Sequence, residues 1–448
     1  MSAPSPTRRT FVKTAAAAST LFAAPAFLRA QTAAGGPNDR LNLAFVGVGG
    51  RGYSGGLMNL KDQNVVAFCD VDDARAAAAY KNFPTVPRFR DYRQMLDKLG
   101  NTIDGVVVST PDHMHFPIAM AAMSLGKHVY VEKPMGQTID EVRRMAALAR
   151  EKKVATQMGT QGRANEGTRL LKEWYDAGVL GEVREVLAWT DRPGSVWPQN
   201  VKAPDHRKGA PAVPPTLDWD LWLGVAQPRA YDPIYLPKNW RGFWDFGTGS
   251  MGDMGCHMLD GAYWALGLAQ PTSVEAVTSA QTDISGPAAS VVTYRFPARG
   301  ARPPVKWTWF DGGLEPIYPA EFEANRDWPR NAELIVGSKA SVLADANYAS
   351  VRIIPESKMR DLGPALPPKS IPRVPGGHFA DWVRACKDGK PAGSDFAYAA
   401  QLTETVLLSA IAIRSRRRIE WDAAGMRVTN LPEANRYVRK DYRAGFGV

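Results

Sequence analysis

From about residue 41 the chain alternates between two apolar patterns. Short runs rich in branched and aromatic residues, at 41–46, 65–70, 105–109, 129–132 and 154–158, read as strands. Between them, residues 74–80, 92–99, 118–125 and 139–150 carry helical patterns. Thr138 and Glu141 stand at capping-box spacing ahead of the last of these. Strands that alternate with helices predict a parallel sheet wrapped by helices. Past about residue 180 the rhythm changes. Residues 183–190, 272–278, 290–296, 305–310 and 350–354 read as strands with few helices between them, which predicts a second domain built on an antiparallel or mixed sheet. Proline and tryptophan crowd 189–244, an irregular insertion. Near the end, Phe379, Trp382, Val383 and Cys386 follow helical spacing, as do Leu402, Val406 and Ala410. The chain has no internal repeat.

Composition adds bounds. The 448 residues are 45% hydrophobic and 22% charged, an ordinary globular balance that excludes disorder, collagen and coiled coil as the main architecture. The prior is two or three domains. Three cysteines far apart suggest neither a disulfide framework nor a CxxC metal site. The net charge is +10, but the first thirty residues supply Arg8, Arg9, Lys13 and Arg29 and no acid. The remainder, 51 basic against 45 acidic residues, is too mild and scattered to argue for nucleic acid. Residues 1–30 have a positive start, a modest apolar centre and a small-residue end, so they read as a signal peptide. The adjacent Arg8 and Arg9 resemble the twin-arginine type, which implies export of a folded protein, often with cofactor loaded. Residues 31–39 are then a linker, and no later segment reaches eighteen consecutive apolar residues, so no membrane span is expected.

The first chemical signal is Gly47-Val48-Gly49-Gly50-Arg51-Gly52, which follows a strand and opens a helix. Gly47 permits the tight turn, Gly49 lets backbone approach a pyrophosphate, and Gly52 lets helix pack on strand. The helix start offers free N–H groups to the phosphates. Asp70, 23 residues after Gly47, ends the second strand and is placed to accept ribose hydroxyls. Asp72 and Asp73 behind it would repel a 2′-phosphate, which favours NAD over NADP.

Three further motifs follow in order: Thr110-Pro111-Asp112-His113-Met114-His115, Glu132-Lys133-Pro134, and Gly252-Asp253-Met254-Gly255-Cys256-His257. With the glycine loop they resemble the glucose-fructose oxidoreductase, inositol dehydrogenase and rhizopine-catabolism family, over residues 41–419. The resemblance implies an α/β fold: an N-terminal Rossmann doubly wound sheet (40–160) and a C-terminal α+β domain (161–420) on a predominantly antiparallel open sheet. Its helices near 378–416 would pack back on the first domain, and a C-terminal extension (421–448) would follow. It also implies a homo-oligomer, dimer or tetramer, often joined through the back of that sheet, and a sugar, polyol or glycoside hydroxyl oxidised by hydride transfer.

Alcohol oxidation needs a base, and imidazole suits it. Carried over by motif, His257 is that base and Asp253, four residues before it, an orienting or substrate-binding partner. Lys133, at a strand's carboxyl end, would hold the substrate hydroxyl. Ser109, Thr110, Pro111 and His115 would line the nicotinamide side with Glu132. Gln161, Arg163, Trp240 and Arg241 match segments near the substrate. His113 and His115 could suggest a metal pair, but no Cys or His cluster completes a site, so no metal is expected. Six tryptophans in 189–244 suggest core packing, with a carbohydrate platform as the alternative. Export implies a tightly bound cofactor that is regenerated on the enzyme. Two alternatives stay open: cleavage or epimerisation of a glycoside through a transient keto form, and a non-catalytic sugar-binding protein on the same scaffold. The family members that cleave glycosides tend to lose the lysine that stands here as Lys133, which favours net oxidoreduction.

Overall fold

The computed structural model describes residues 39–447. The expected signal peptide, 1–30, and nearly all of the linker lie outside the described residues.

The first sheet comprises β1 (Asn42–Val46), β2 (Asn64–Cys69), β3 (Arg88–Phe89), β4 (Gly105–Val108), β5 (His128–Val131) and β6 (Thr156–Met158). Their order is β3-β2-β1-β4-β5-β6, and every pair is parallel. This is the doubly wound order, with its switch point between β1 and β4, where ligands bind outside the carboxyl ends. A parallel sheet covered on both faces needs unbroken apolar strands, and β4, Gly-Val-Val-Val, is buried throughout. The pattern missed β3 because two residues are too few to show a period. The capping box forms: Thr138 Oγ1 accepts from Glu141 N and Glu141 Oε2 from Thr138 N, opening the helix Ile139–Lys152.

The second sheet has nine strands: β7 (Val183–Trp189), β8 (Ser273–Thr278), β9 (Ser290–Phe296), β10 (Val305–Phe310), β11 (Ala332–Gly337), β12 (Ser341–Asp345), β13 (Val351–Ile354), β14 (Ile419–Asp422) and β15 (Arg427–Val428). The order is β13-β12-β11-β7-β10-β9-β8-β14-β15, antiparallel except at β7–β10. The expected extension therefore starts inside the sheet, because β14 and β15 extend its edge. The pattern missed β11 and β12, and the helix Glu166–Asp176, for one reason: each carries polar residues that the fold buries. Glu333 on β11 is fully buried and accepts from Trp307 Nε1 at 2.6 Å and from the Tyr348 hydroxyl. Glu173 on the helix is bonded by the Arg373 guanidinium and by the N–H groups of Ser370 and Ile371.

Two late helices close the fold. Gly377–Asp388 lays Phe379 and Trp382 against Leu43, Phe45 and Tyr130 of the first sheet. Phe396–Ser415 is long and apolar enough to cross a membrane, yet it is mostly buried inside the fold. Arg143 on helix Ile139–Lys152 grips its Glu404 with two bonds of 2.6 Å. Residues 189–244 hold one short helix, Trp219–Leu223, among loops and single turns. Most of their aromatic rings pack on each other: Trp219 stacks on Trp222 at 4.8 Å, and Trp222, Tyr235 and Phe243 surround Phe246. That is core, as composition suggested, although Trp197, Trp222 and Trp240 also reach the cavity described next.

Candidate active site

The glycine loop leaves β1 at its carboxyl end. Gly47 has φ +79°, and a Cβ there would stand 2.7 Å from the Ser109 carbonyl oxygen. A Cβ on Gly52 would stand 1.8 Å from the Gly47 carbonyl oxygen. Both positions need glycine for the reasons its motif predicts. The helix it opens starts with a wide π-helical segment, Gly52–Leu57. Asp70 does more than the sequence suggested. Its Oδ2 accepts from Val48 N at 2.8 Å and Gly49 N at 3.2 Å, and its Oδ1 from Asp72 N. The carboxylate thus braces the loop, with lone-pair capacity left for a ribose hydroxyl. Asp72 caps its own helix and Asp73 pairs with Arg90. Arg75 and Arg90, which sequence reasoning did not single out, line the same end of the cavity.

After β4, the Ser109 and Thr110 hydroxyls are buried and have no hydrogen-bond partner among the described residues. His115 sits between two carbonyl acceptors, with Nδ1 2.7 Å from the Pro134 oxygen and Nε2 2.9 Å from the Thr110 oxygen. His113 Nε2 lies 3.1 Å from the Trp222 carbonyl. Among the described residues no group of three or more His, Cys, Asp or Glu is arranged to hold a metal.

The third part of the site joins the two sheets. Lys133 follows β5, and the Lys133–Pro134 peptide is cis. Its ammonium donates to Asp253 Oδ1 at 2.7 Å and to the Asp253 carbonyl oxygen at 2.5 Å. Asp253 lies in a π-helical turn, Met251–Gly255, that leads into the helix Cys256–Leu266. Its carboxylate also accepts from Arg241 Nε at 3.0 Å and Arg192 Nη1 at 2.6 Å. Burial alone would raise this carboxyl, but Lys133, Arg241 and Arg192 overcome it and hold the group far below the usual carboxylate range. None of the carboxylate's hydrogen bonds goes to His257, which corrects the expected orienting pair. The reason is competition, since three cations outbid a neutral imidazole for one buried acid. Burial, then Lys133, keeps His257 well below the ordinary imidazole value of 6.5. The ring lines the cavity, with Nδ1 sealed from solvent and without a partner among the described residues.

These groups face one cavity of about 580 Å³. Gln161, Trp240 and Arg241 line it as expected. Arg163 does not. Its Nε donates to the Gly393 carbonyl at 2.8 Å, and its guanidinium lies between the rings of Trp264 and Tyr398, at 4.0 and 4.3 Å. It is a buried brace, because an arginine in the turn five residues past β6 reaches whichever side the chain turns to. Val48 and Gly52 support the loop from behind, whereas Gly47, Gly49, Gly50 and Arg51 line the cavity. Glu132 fixes Arg51 at 3.1 Å. Sequence reasoning missed Arg192, whose only signal was its place at the end of a strand in the second half.

The residues present fit a dinucleotide: a loop whose turn admits no Cβ, a carboxylate at the end of β2, and two orphaned hydroxyls at the end of β4. Family models agree. Residues 41–160 match an oxidoreductase family model described as an NAD-binding Rossmann fold, and residues 166–299 match the same family's C-terminal alpha/beta domain. The chain belongs to this oxidoreductase family. Members similar to it include the levoglucosan dehydrogenase of Pseudarthrobacter phenanthrenivorans, 24% identical over 204 residues, or 46% of this chain and 42% of that enzyme. A glycosyl hydrolase family 109 protein of Shewanella amazonensis is 34% identical over 110 residues, 23% of this chain and 24% of its own length. The chain thus matches less than half the length of either relative. Among solved structures, the WlbA dehydrogenase of Bordetella pertussis, in complex with NADH and UDP-GlcNAcA, superposes with a TM-score of 0.58 at 19% identity, covering 86% of this chain and 99% of that one. Levoglucosan dehydrogenase in complex with NADH and levoglucosan gives 0.55 at 17% identity, covering 85% and 99%. At these identities the likeness is one of fold.

Proposed function

We propose that the protein is an exported, NAD-dependent oxidoreductase that acts on a carbohydrate hydroxyl. The observation that carries this reading is the convergence of Lys133, Asp253 and His257 on one cavity with the glycine loop. The sugar ligands of the two solved relatives support the substrate class. A bound nicotinamide would accept the hydride from the carbinol carbon. The chain supplies the rest. Two of the three Lys133 N–H donors are spent on Asp253, which leaves one for the substrate oxygen. There the ammonium stabilises developing alkoxide charge in a buried setting. His257, held neutral by burial, receives the hydroxyl proton at Nε2, the ring nitrogen that is not sealed.

The signal-peptide reading of 1–30 places the enzyme outside the cytoplasm, where free NAD cannot be counted on. The cofactor is therefore retained and regenerated in the same site. A dimer or tetramer joined through the nine-stranded sheet belongs to this reading, and sedimentation would test it. Two experiments test the core. Denaturing purified protein and weighing the released nucleotide should give NAD, and mixing the protein as isolated with a panel of sugars should change absorbance near 340 nm. An empty protein, active only with millimolar added NAD, would defeat the closed cycle. Cell fractionation of an Arg8→Lys, Arg9→Lys variant should trap the protein inside. Glycoside cleavage, the alternative that the family 109 relatives suggest, would release a free sugar from a glycoside with no net change at 340 nm.

A further inference from the structure

The geometry points to a substrate that carries a carboxylate, gripped by Arg192 and Arg241. This rests on the reading above and narrows its substrate class.

Charge is the first observation. Lys133, Arg192 and Arg241 all touch a single carboxylate, Asp253. Lys133 alone would neutralise it, so two cations remain in surplus. Of the nearest other acids, Asp112 acts through space on Arg241 and Lys133 and offsets part of that excess, so a net positive charge remains. Glu132 is committed to Arg51, and Asp112 is buried with Thr248 donating to it. A half-buried surplus of like charge is unfavourable unless a counter-charge arrives.

Donor geometry is the second. Arg192 uses only Nη1 on Asp253, and Arg241 only Nε. Among the described residues, Arg192 Nε and Nη2 and both Nη atoms of Arg241 have no hydrogen-bond acceptor. Both side chains line the cavity and keep part of their surface open, 35% for Arg192 and 25% for Arg241. A guanidinium presents a flat fork that matches a carboxylate, and two forks anchored on one acid form a rigid clamp.

Position is the third. The two arginines come from separate segments, one just past β7 and one in the turn Asn239–Gly242, and they meet beside Lys133. Trp197 sits within 5.9 Å of both guanidiniums, and Trp240 lies 4.2 Å from that of Arg241. An apolar wall behind the forks lowers the local dielectric and strengthens their hold on an anion. A sugar hydroxyl on Lys133 and His257, with an acid group on the arginines, describes a hexuronate or an aldonate.

The test is a titration of the full-length protein as purified, followed by its tryptophan fluorescence and by calorimetry. The probes are D-glucuronate, D-galacturonate and D-gluconate, each against a neutral counterpart: glucose, galactose and the methyl ester of glucuronate. At least one acid should bind about tenfold tighter or better than its neutral counterpart, a gap of about 1.4 kcal/mol. Half-molar salt should shrink the gap. Arg192→Gln should close it to about twofold, Arg192→Lys should restore part of it, and Arg241→Gln should act in the same direction, with melting temperature confirming that each variant folds. Acids and neutral counterparts of equal affinity across the panel, or an acid preference that survives Arg192→Gln, would overturn the clamp. The two readings fail separately. Tight, salt-sensitive binding of an acid with no change at 340 nm keeps the clamp and sinks the oxidoreductase. Turnover of neutral sugars with no acid preference does the reverse.

Discussion

The Lys133 ammonium lies 2.7 Å from Asp253 Oδ1 and 2.5 Å from the carbonyl oxygen of the same residue. One bonded pair thereby ties the carboxyl end of β5 to the helix that carries His257, across 120 residues of chain. Position and charge are set by the same contact. The ammonium is aimed, and the aspartate is kept ionised.

Breaking that contact should cost both activity and stability. Asp253→Asn leaves three cations around a neutral amide and should lower stability by about 3–5 kcal/mol. Lys133→Met should lower kcat by about 10³-fold, the size expected for loss of one stabilising donor, while the nucleotide stays bound. Denaturant unfolding checks the first and single-turnover absorbance the second. A Lys133→Met enzyme within fivefold of wild type would remove the lysine from the chemistry.

The acid limb of kcat/KM reports the base in the free enzyme. Burial and then Lys133 lower His257 well below 6.5. Activity should therefore hold through neutral pH and fall on acidification only well below the ordinary imidazole range, as the ring takes a proton. Removing the Lys133 charge should move the titration of His257 up, because that cation opposes protonation. Histidine NMR of Lys133→Met checks the sign without relying on turnover, and a downward move would contradict it.

Gly52→Ala puts a methyl group where the Gly47 carbonyl oxygen already sits, 1.8 Å away. The loop must shift, so the purified variant should lose its nucleotide. Gly126→Ala is the control, with φ +73° and no atom within 4 Å of its Cβ. It should pay only the strain of a left-handed alanine, about 1 kcal/mol, and retain the nucleotide.

Asp70 braces the loop and closes the ribose end. Asp70→Ser should weaken NAD binding by about tenfold, some 1.4 kcal/mol. It should also raise the affinity for NADP relative to NAD, because Arg75 then meets a 2′-phosphate with no acid between them. Nucleotide exchange measured by fluorescence separates the two effects.

Arg163 was expected near substrate and is instead packed between Trp264 and Tyr398. Arg163→Met should lower stability by about 1–3 kcal/mol and leave KM for any turned-over sugar within about twofold. A large rise in KM with an unchanged melting temperature would restore the substrate role.

The sequence by itself determined the parallel sheet, the second sheet, and the pieces of the cofactor cradle. These are local statements: strand periods, a glycine turn and a capping box depend on residues within a few positions of each other. It did not reveal β11, β12 or the helix Glu166–Asp176, whose buried Glu333 and Glu173 look like surface residues until Trp307, Tyr348 and Arg373 arrive from elsewhere in the chain. Nor could spacing assign Asp253 to its partners. Four residues along a helix suggested His257, but the tertiary fold brought Lys133, Arg192 and Arg241 to the carboxylate, and a full positive charge at hydrogen-bond distance outweighs a neutral ring. Which side chains share a cavity is a matter of long-range packing, and that was decided only when the two sheets met.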